Sequence, residues 1–395
     1  MLSIINKLTV PKVILRYIIM NFLDLNTIKN LLLTVKEMNI LDDSNKIYLS
    51  NAKKGFMWNC KQGNIKVVRW LYYLNKATVH DNNEYAFRKA CSKGHINIAK
   101  WIYSLGNVNV YIVNNDAFKC ACYSGHIDIV QWIYSLGIID IHDEDDYSFK
   151  SACYNGHINV AKWLYSLEHI NIHVRNEAFK LTCMQNHIEI AKWLYSLGEG
   201  MDRTDPSSPA RKGQGELNIH VDNEYAFKYA CENGHIDVAQ WIYSIGGVNI
   251  HADNEYAFGM SCQNGHIDVA QWLYSIGEVN IHADNEYAFR YACENGHLDV
   301  VQWLYSLNGV NIHAKRDNTK SLMNHDAFTL SCKNGHINVA QWLYKLGGFR
   351  INKSVYRLAE KNERANIIEW LNTLTSAKNI MRNNNNKNKK KMKKN

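Results

Sequence analysis

Cysteine and histidine recur together along this chain, and these two residue types are common zinc ligands. Cys91 and His95 form one C-x3-H pair, and the same pair returns at regular intervals. Ligands of one zinc lie about 2.0–2.3 Å from the metal, and hence within roughly 4 Å of each other. Equivalent side chains on packed helices are about 8–10 Å apart. Pairs on neighbouring helices are therefore too far apart to share a metal, and we predict neither a metal nor a cofactor.

The same separation argues against disulfides, whose Cα atoms must lie within about 7 Å of each other. Cys120 is out of register and forms a C-x-C pair with Cys122, which alone indicates no site. The other nine cysteines share one register and are expected to be small buried apolar side chains: Cys60, Cys91, Cys122, Cys153, Cys183, Cys231, Cys262, Cys293 and Cys332.

The histidines also have a structural interpretation. Those that follow glycine, such as His126 and His235, are expected to bond to their turn and to the neighbouring loop. A second set either ties loops together or lines an exposed edge: His220, His251, His282 and His313. The sequence contains no Gly-rich phosphate loop, Ser/His/Asp set or paired-carboxylate site, so we predict that the chain is not an enzyme.

A repeat of about 31 residues positions all of these side chains. Six of the nine intervals between successive tryptophans from Trp70 to Trp370 are 30 or 31 residues. Each of the first nine follows a cysteine by ten residues, and each cysteine follows a phenylalanine by four. Helical spacing beside aliphatic residues favours core packing for these rings over base-stacking platforms. The tryptophans are Trp70, Trp101, Trp132, Trp163, Trp193, Trp241, Trp272, Trp303, Trp342 and Trp370.

The repeat from Asn254 to His282 shows how each copy is divided. Phe258 and Cys262 share one face of a first helix, which Gly265 ends because glycine adopts the left-handed conformation without strain. A second helix is expected from about Ile267 to Ile276, followed by a short extended connection. Two such short helices cannot bury an apolar face alone, so the copies must stack on one another.

The start of the first helix also has a sequence signal. Asp253 or Asn254 is expected to cap it, and Glu255 in its first turn suits the positive end of the helix dipole.

The second helix resembles that of ankyrin repeats. The segment from Gly94 to Gly106 has the Gly-His turn, the paired aliphatic residues, the basic residue and the closing glycine of that family. The resemblance covers residues 51–376 and implies an all-α, ankyrin-like helix-turn-helix solenoid of about ten repeats with short extended connections. Tyr-Ala-Phe replaces the family's Thr-Pro-Leu-His opening, and Asn186 stands where glycine is expected. These departures leave the geometry of the connecting loops open.

The rest of the chain is arranged around this array. Polar insertions interrupt the repeat near 199–216 and 315–323, and the last repeat, 354–374, has the polar character of a cap. Residues 377–395 form a Lys/Asn-rich tail, expected to be disordered. It carries eight uncompensated positive charges, which equal the net charge of +8, so the remaining body is formally neutral.

The first 50 residues do not belong to the repeat. Their pattern resembles an F-box, which implies docking to the Skp-type adaptor of a cullin ubiquitin ligase; the alternative is an N-terminal helical cap. The residues expected to dock the adaptor are Pro11, Ile14, Leu15, Ile18, Phe22 and Leu23.

Two columns of the first helix vary between repeats, while the Phe, Cys, Trp and Gly-His positions barely change. In ankyrin-like proteins the first helix lines a concave groove, so the resemblance makes the variable columns a protein-binding surface. They contain the Tyr, Met and charged residues that form adaptable contacts. The groove columns comprise Lys89, Ser92, Cys120, Tyr123, Ser151, Tyr154, Leu181, Met184, Tyr229, Glu232, Met260, Gln263, Tyr291, Glu294, Leu330 and Lys333.

We therefore predict an intracellular scaffold, in the cytoplasm or nucleus, that binds a protein ligand in this groove and presents it to a ubiquitin ligase if the F-box functions. The alternative is a nucleic-acid-binding or nuclear-targeted protein that acts through the basic tail. We expect no membrane association, because Val13 to Leu23 is too short to span a bilayer. The Asn/Lys/Ile-rich style resembles ankyrin families of giant viruses of amoebae, which would place the protein in a host cell.

Overall fold

A computed structural model describes residues 52–66, 68–69, 72, 81–106, 108, 110–137, 139–167, 170–199, 217–315, 326–349 and 351–376. The F-box-like segment and the basic tail lie outside these residues. So do both insertions, apart from their flanking residues Glu199 and Lys315.

The described residues form two compact units that divide between Ala178 and Phe179. The helices of unit 1 are α1 (Ala52–Gln62), α2 (Asp81–Ser92), α3 (Ile96–Ser104), α4 (Val110–Ser124), α5 (Ile127–Ser135), α6 (Asp143–Tyr154), α7 (Ile158–Leu167) and the first half of α8 (Ile172–Met184).

Unit 2 begins with the second half of α8 and ends with a helix over 365–376, named α19. Its other helices are α9 (Ile188–Glu199), α10 (Val221–Glu232), α11 (Ile236–Ile245), α12 (Ala252–Gln263), α13 (Ile267–Ile276), α14 (Ala283–Asn295), α15 (Leu298–Ser306), α16 (Ala327–Asn334), α17 (Ile337–Leu346) and α18 (Lys353–Lys361). The described part of the chain contains no strand, as the all-α prediction requires.

Within each unit, helical hairpins stack as a solenoid. First helices pack against the first helices of the next repeat, as α2 does with α4 in unit 1 and α12 with α14 in unit 2. Each second helix packs against its own first helix, as α13 does against α12. The predicted second helix from Ile267 to Ile276 is confirmed at both ends.

Phenylalanine and cysteine form the centre of each repeat. Phe227 and Phe258 are at most 2% exposed, and the register cysteines, among them Cys231 and Cys262, have no exposed surface. The tryptophans differ from the prediction of a core column: only Trp101, at 8% exposure, is buried, and the others that the structure describes are half-buried. Their rings lie edge-on against a tyrosine of the preceding repeat, as Trp272 does against Tyr243 at 5.8 Å. The tryptophans therefore pack between the second helices of successive repeats rather than in the core.

The expected helix caps are replaced by a left-handed turn. Asp253, Asn254 and Glu255 have φ values of 52°, 58° and 64°, and neither they nor His251 form a side-chain cap. The same three-residue turn opens α6, α10 and α14. Left-handed backbone costs about 1–2 kcal/mol per residue, so it persists only where side-chain bonds compensate. The cap prediction was wrong because these residues bond to neighbouring repeats instead of to their own helix.

The turn between the two helices of a repeat also requires positive φ. Gly265 has φ +81°, and a Cβ there would lie 2.4 Å from the His297 ring of the next repeat. Asn186 and Glu363 adopt φ of 63° and 56° at the equivalent position, so the turn is kept without glycine. The last repeat therefore keeps this turn without glycine.

Candidate functional site

The groove columns lie mostly at the surface. Tyr123 is the most exposed of the sixteen residues, at 49%, and thirteen others are half-buried. Ser151 and Leu330 are buried, at 6% and 8% exposure. These two residues therefore offer no binding surface, and the remaining fourteen stay candidates.

In unit 2 the groove columns are joined by a cluster of tyrosines. The rings of Tyr225 and Tyr229 stack with their centroids 4.1 Å apart, and Tyr229 lies 6.1 Å from Tyr256. The Tyr287 and Tyr291 ring centroids lie 4.3 Å apart, with the rings tilted by 34° to each other. Stacked rings have few alternative rotamers, so this face is held in one arrangement. We name these five residues the tyrosine cluster.

The tyrosine hydroxyls also hold groove residues in place. Tyr256 donates to Glu232 Oε2 at 2.7 Å, and Tyr287 donates to Gln263 Oε1 at 2.5 Å. Burial, then the bond to Glu232, raises the pKa of Tyr256, and burial raises the pKa of Tyr287. Both hydroxyls therefore stay protonated and act as donors at neutral pH.

The Gly-His histidines bond to the preceding repeat, as predicted. His126 Nε2 donates to the carbonyl of Ser92 at 3.2 Å, and His235 Nε2 donates to that of Met184 at 3.0 Å. In the last repeat Arg364 takes this place, and its Nε donates to the carbonyl of Lys333 at 3.3 Å. These bonds satisfy carbonyls at the C-terminal ends of first helices, which favours a structural role for the histidines.

The connection histidines tie loops together through buried glutamates. His251 Nδ1 donates to Glu255 Oε1 at 2.9 Å, and the same oxygen accepts the backbone N–H of Asn280 in the next repeat at 3.1 Å. His220 with Glu224, and His282 with Glu286, repeat the arrangement. His220, His251 and His282 therefore tie loops together, and because their side chains are 39–48% exposed they also lie at the surface.

A column of basic residues lies three positions before the register cysteines. In three repeats its lysine forms an ion pair with a carboxylate of the next repeat and lies over a tyrosine ring. The three sets are Lys119 with Glu144 and Tyr147, Lys180 with Asp222 and Tyr225, and Lys228 with Asp253 and Tyr256. The lysine side chains are only 8–12% exposed, so each fills a narrow slot between adjacent first helices. We call these the lysine slots.

Gly259 interrupts the basic column and leaves a cavity of about 210 Å³ between α12 and α14. Asp284 and Tyr287, the counterparts of Asp253 and Tyr256, line it together with Met260 and Glu255. Glu255 is 8% exposed, and its Oε2 has no hydrogen-bond partner. The cavity lining thus combines apolar side chains with carboxylates.

The cysteines offer no reactive thiol. Burial raises the pKa of Cys60 and of Cys332 to about 12 and lifts that of the other register thiols further. All ten cysteines are free, and the described residues include no group of three or more His, Cys, Asp or Glu arranged to hold a metal. None of the described helices has the length and apolarity needed to cross a membrane.

Sequence reasoning found the variable columns but missed the cavity. The signal was present in the basic column, where Gly259 is the one residue without a side chain between Arg88 and Thr329. The pairing of that column with Asp284 and Tyr287 of the next repeat could not be read from the sequence, because it depends on the left-handed turn.

The repeats of this chain match a known family model, and a solved structure resembles the chain. A solved structure, the crystal structure of the human ASB11 ankyrin repeat domain, matches at 15% identity and a TM-score of 0.41, covering 59% of this chain and 99% of that one. No curated protein matches. The family model "Ankyrin repeats (3 copies)" matches residues 56–145, 149–254, 227–316 and 258–355, well over half of the 395 residues. The chain therefore belongs to the ankyrin-repeat family.

Proposed function

We propose that this chain binds a protein partner on the exposed faces of its first helices, with the tyrosine cluster of unit 2 as the principal contact surface. Ankyrin repeats are in general protein–protein interaction modules, and their fold is in general a non-catalytic scaffold. The observation that carries the proposal is the fixed array of Tyr225, Tyr229, Tyr256, Tyr287 and Tyr291 beside the half-buried groove columns.

Pre-organisation explains why this face suits binding. A partner that docks on rings already stacked immobilises few additional side chains, and each such side chain costs about 0.5–1.5 kcal/mol. Tyrosine supplies a large contact area with few rotatable bonds and a hydroxyl for a polar contact. The bonds to Glu232 and Gln263 extend this order to the neighbouring groove positions.

Site-specific photo-cross-linking tests the proposal. A photoreactive phenylalanine at Tyr291, in the cluster, should give a discrete cross-linked protein, and Tyr229→Ala should abolish the adduct. The matched control is the same probe at Tyr274, an exposed tyrosine on the second helix α13 that is 41% accessible. Equal adducts from both positions, or none at Tyr291, would contradict a groove partner.

The role as a ubiquitin-ligase adaptor is a finer part of the proposal and rests on the N-terminal sequence alone. Pro11, Ile14, Leu15, Ile18, Phe22 and Leu23 are its expected contacts. The full chain should bind a Skp-type adaptor in a pull-down, and Leu15→Asp should abolish that binding without changing thermal unfolding of the repeats. Binding that survives Leu15→Asp, or no binding by the intact chain, leaves this segment as an N-terminal cap.

A further inference from the structure

The lysine slots show what a side chain does between two adjacent first helices. In each slot an aliphatic stem passes through the contact between the helices, and the ammonium group lies near a carboxylate and a tyrosine face. Lys180 Nζ is 2.6 Å from Asp222 Oδ2 and 5.1 Å from the centre of the Tyr225 ring. Lys228 is placed in the same way between Asp253 and Tyr256.

The cavity beside Gly259 has the walls of such a slot without its lysine. Asp284 follows Gly259 by the interval that separates Asp253 from Lys228, and Tyr287 occupies the corresponding ring position. A Cβ on Gly259 would lie 3.1 Å from Tyr287 Cδ1, so this backbone position lies close against the Tyr287 ring. The buried Oε2 of Glu255, which has no hydrogen-bond partner, lies in the same lining.

No cation of the described residues forms an ion pair with the Asp284 carboxylate. The carboxylate accepts the side-chain amide of Asn254 at 2.8 Å. Arg290 donates instead to the backbone carbonyls of Asp284 and Asn285, at 3.0 and 2.7 Å. Lys228 is paired with Asp253 on the other side of α12.

We propose that this cavity, the Gly259 pocket, binds a lysine side chain supplied by the partner protein. Its ammonium would lie between the exposed Asp284 carboxylate and the Tyr287 ring, and its stem against half-buried Ile281. The inference rests on the proposed function, since the pocket adjoins the tyrosine cluster, and it gives that partner a chemical requirement. Apolar walls suit the four-carbon stem, while charge-assisted hydrogen bonding and the ring face favour the ammonium.

A pair of short peptides tests the pocket directly. Acetyl-Ala-Lys-Ala-amide is titrated into the full chain and its binding is followed by saturation-transfer NMR, which should give a Kd on the order of 1 mM. In a protein-observed spectrum the same peptide should shift the backbone amide resonance of Gly259. The same peptide with norleucine keeps the stem and lacks the charge. It should bind at least about tenfold more weakly, because a charge-assisted hydrogen bond contributes about that factor.

Two variants remove the site in different ways. Gly259→Lys places a side chain in the pocket from within, as Lys228 occupies its own slot, and should abolish lysine-peptide binding. Because its Cβ would lie 3.1 Å from Tyr287 Cδ1, the ring must shift slightly, and we expect an equal or slightly lower unfolding temperature. Asp284→Asn keeps an acceptor for Asn254 but removes the charge, so binding of the lysine peptide should weaken at least about fivefold. Unchanged binding in either folded variant would overturn the proposal.

A reciprocal variant keeps the test decisive if one of these chains fails to fold. Lys228→Gly should open a second pocket between Asp253 and Tyr256, so that the chain binds two lysine peptides instead of one. A single site in this variant, or equal binding of the lysine and norleucine peptides to the wild-type chain, would contradict the assignment. If no lysine peptide binds while a probe at Tyr291 still captures a partner, the Gly259 pocket is not a lysine site and the proposed protein-binding function stands. If the peptide binds and no partner is captured, the lysine site stands and the proposed protein-binding function fails.

Discussion

At the scale of single residues, histidine has two structural uses in this protein. After the glycine of each turn, Nε2 of residues such as His235 donates to a carbonyl of the preceding repeat. In the connections, Nδ1 of residues such as His251 donates to a buried glutamate of its own turn. The first set is packed against the glycine of the preceding turn, whereas the second lies nearer solvent.

The Gly-His histidines predict a loss of stability in acid. Burial lowers the pKa of His235, His297 and His336 below the ordinary value of 6.5. In the unfolded chain these histidines take up protons near pH 6.5, whereas in the folded chain they stay neutral to lower pH. Their contribution to the free energy of unfolding is therefore full above pH 6.5 and is lost as the pH falls below that value. The urea midpoint of unit 2 should thus be lower at about pH 5 than at about pH 7.5.

A variant isolates one of these groups. His235→Gln keeps an N–H donor for the Met184 carbonyl but cannot be protonated, so its midpoint should vary less with pH over this range. The ion-paired Asp253 does not interfere, because Lys228 lowers its pKa below the ordinary 3.8. A pH dependence identical to that of the wild-type chain would show that His235 titrates normally.

The left-handed turn predicts an unusual order of substitutions at Asn254. Asn254→Gly relieves the strain of the positive φ of 58° but loses the hydrogen bond to Asp284. We therefore expect the free energy of unfolding to change by about 1 kcal/mol or less. Asn254→Val loses the same bond and adds a branched Cβ in the left-handed region, at a combined cost of about 2–3 kcal/mol. Urea unfolding of both variants measures the difference. Equal stabilities would mean that this turn is not left-handed in solution.

At the scale of helices, the sequence predicted the elements better than the contacts between repeats. The second helix from Ile267 to Ile276, its glycine stop and the buried Phe and Cys columns follow from spacing alone, because 3.6-residue periodicity fixes one face of each helix. The turn at Asp253 could not be predicted, since its conformation is set by side chains about 25 to 30 residues away in neighbouring repeats. The same long-range dependence hid the Gly259 pocket, although the variable groove columns beside it were found.

The difference between the phenylalanine and tryptophan columns predicts unequal costs of truncation. Phe227 has no exposed surface, so Phe227→Ala should cost about 3–5 kcal/mol. Trp241 is half-buried, and Trp241→Ala should cost no more than the lower end of that range. As a control, Glu278 is exposed, and Glu278→Ala should change the free energy of unfolding by no more than about 0.5 kcal/mol.

Hydrogen exchange locates these effects. In a stack where each repeat contacts only its neighbours, Phe227→Ala should accelerate exchange in α10 and in the adjacent repeats α8–α9 and α12–α13, and leave α16–α17 unchanged. Uniform loss of protection across unit 2 would indicate one globular core instead of a linear array.

At the scale of the whole chain, charge is divided unevenly between the repeats and the tail. The formal net charge is +8, and the eight lysines and arginines beyond residue 376 account for all of it. Three lysines of the repeats are paired internally in the lysine slots, and the formal charge of the body is zero, so the body has no net surplus of positive charge to neutralise phosphates. Specific protein binding and any binding of nucleic acid are therefore expected to belong to different parts of the molecule.

Removing the tail tests whether nucleic-acid binding and protein binding belong to different parts of the chain. If all eight tail charges neutralised phosphates, duplex DNA binding by the intact chain would fall with salt with a log–log slope as steep as about −7. A chain ending at residue 376 should show no salt-dependent binding, because its net charge is zero. Fluorescence anisotropy with a labelled duplex at low and at physiological salt measures both, and replacing the eight basic residues by glutamine provides a matched control of full length. Binding that survives truncation would locate a phosphate-binding surface on the repeats, where the internal pairing of Lys180 and Lys228 argues against one.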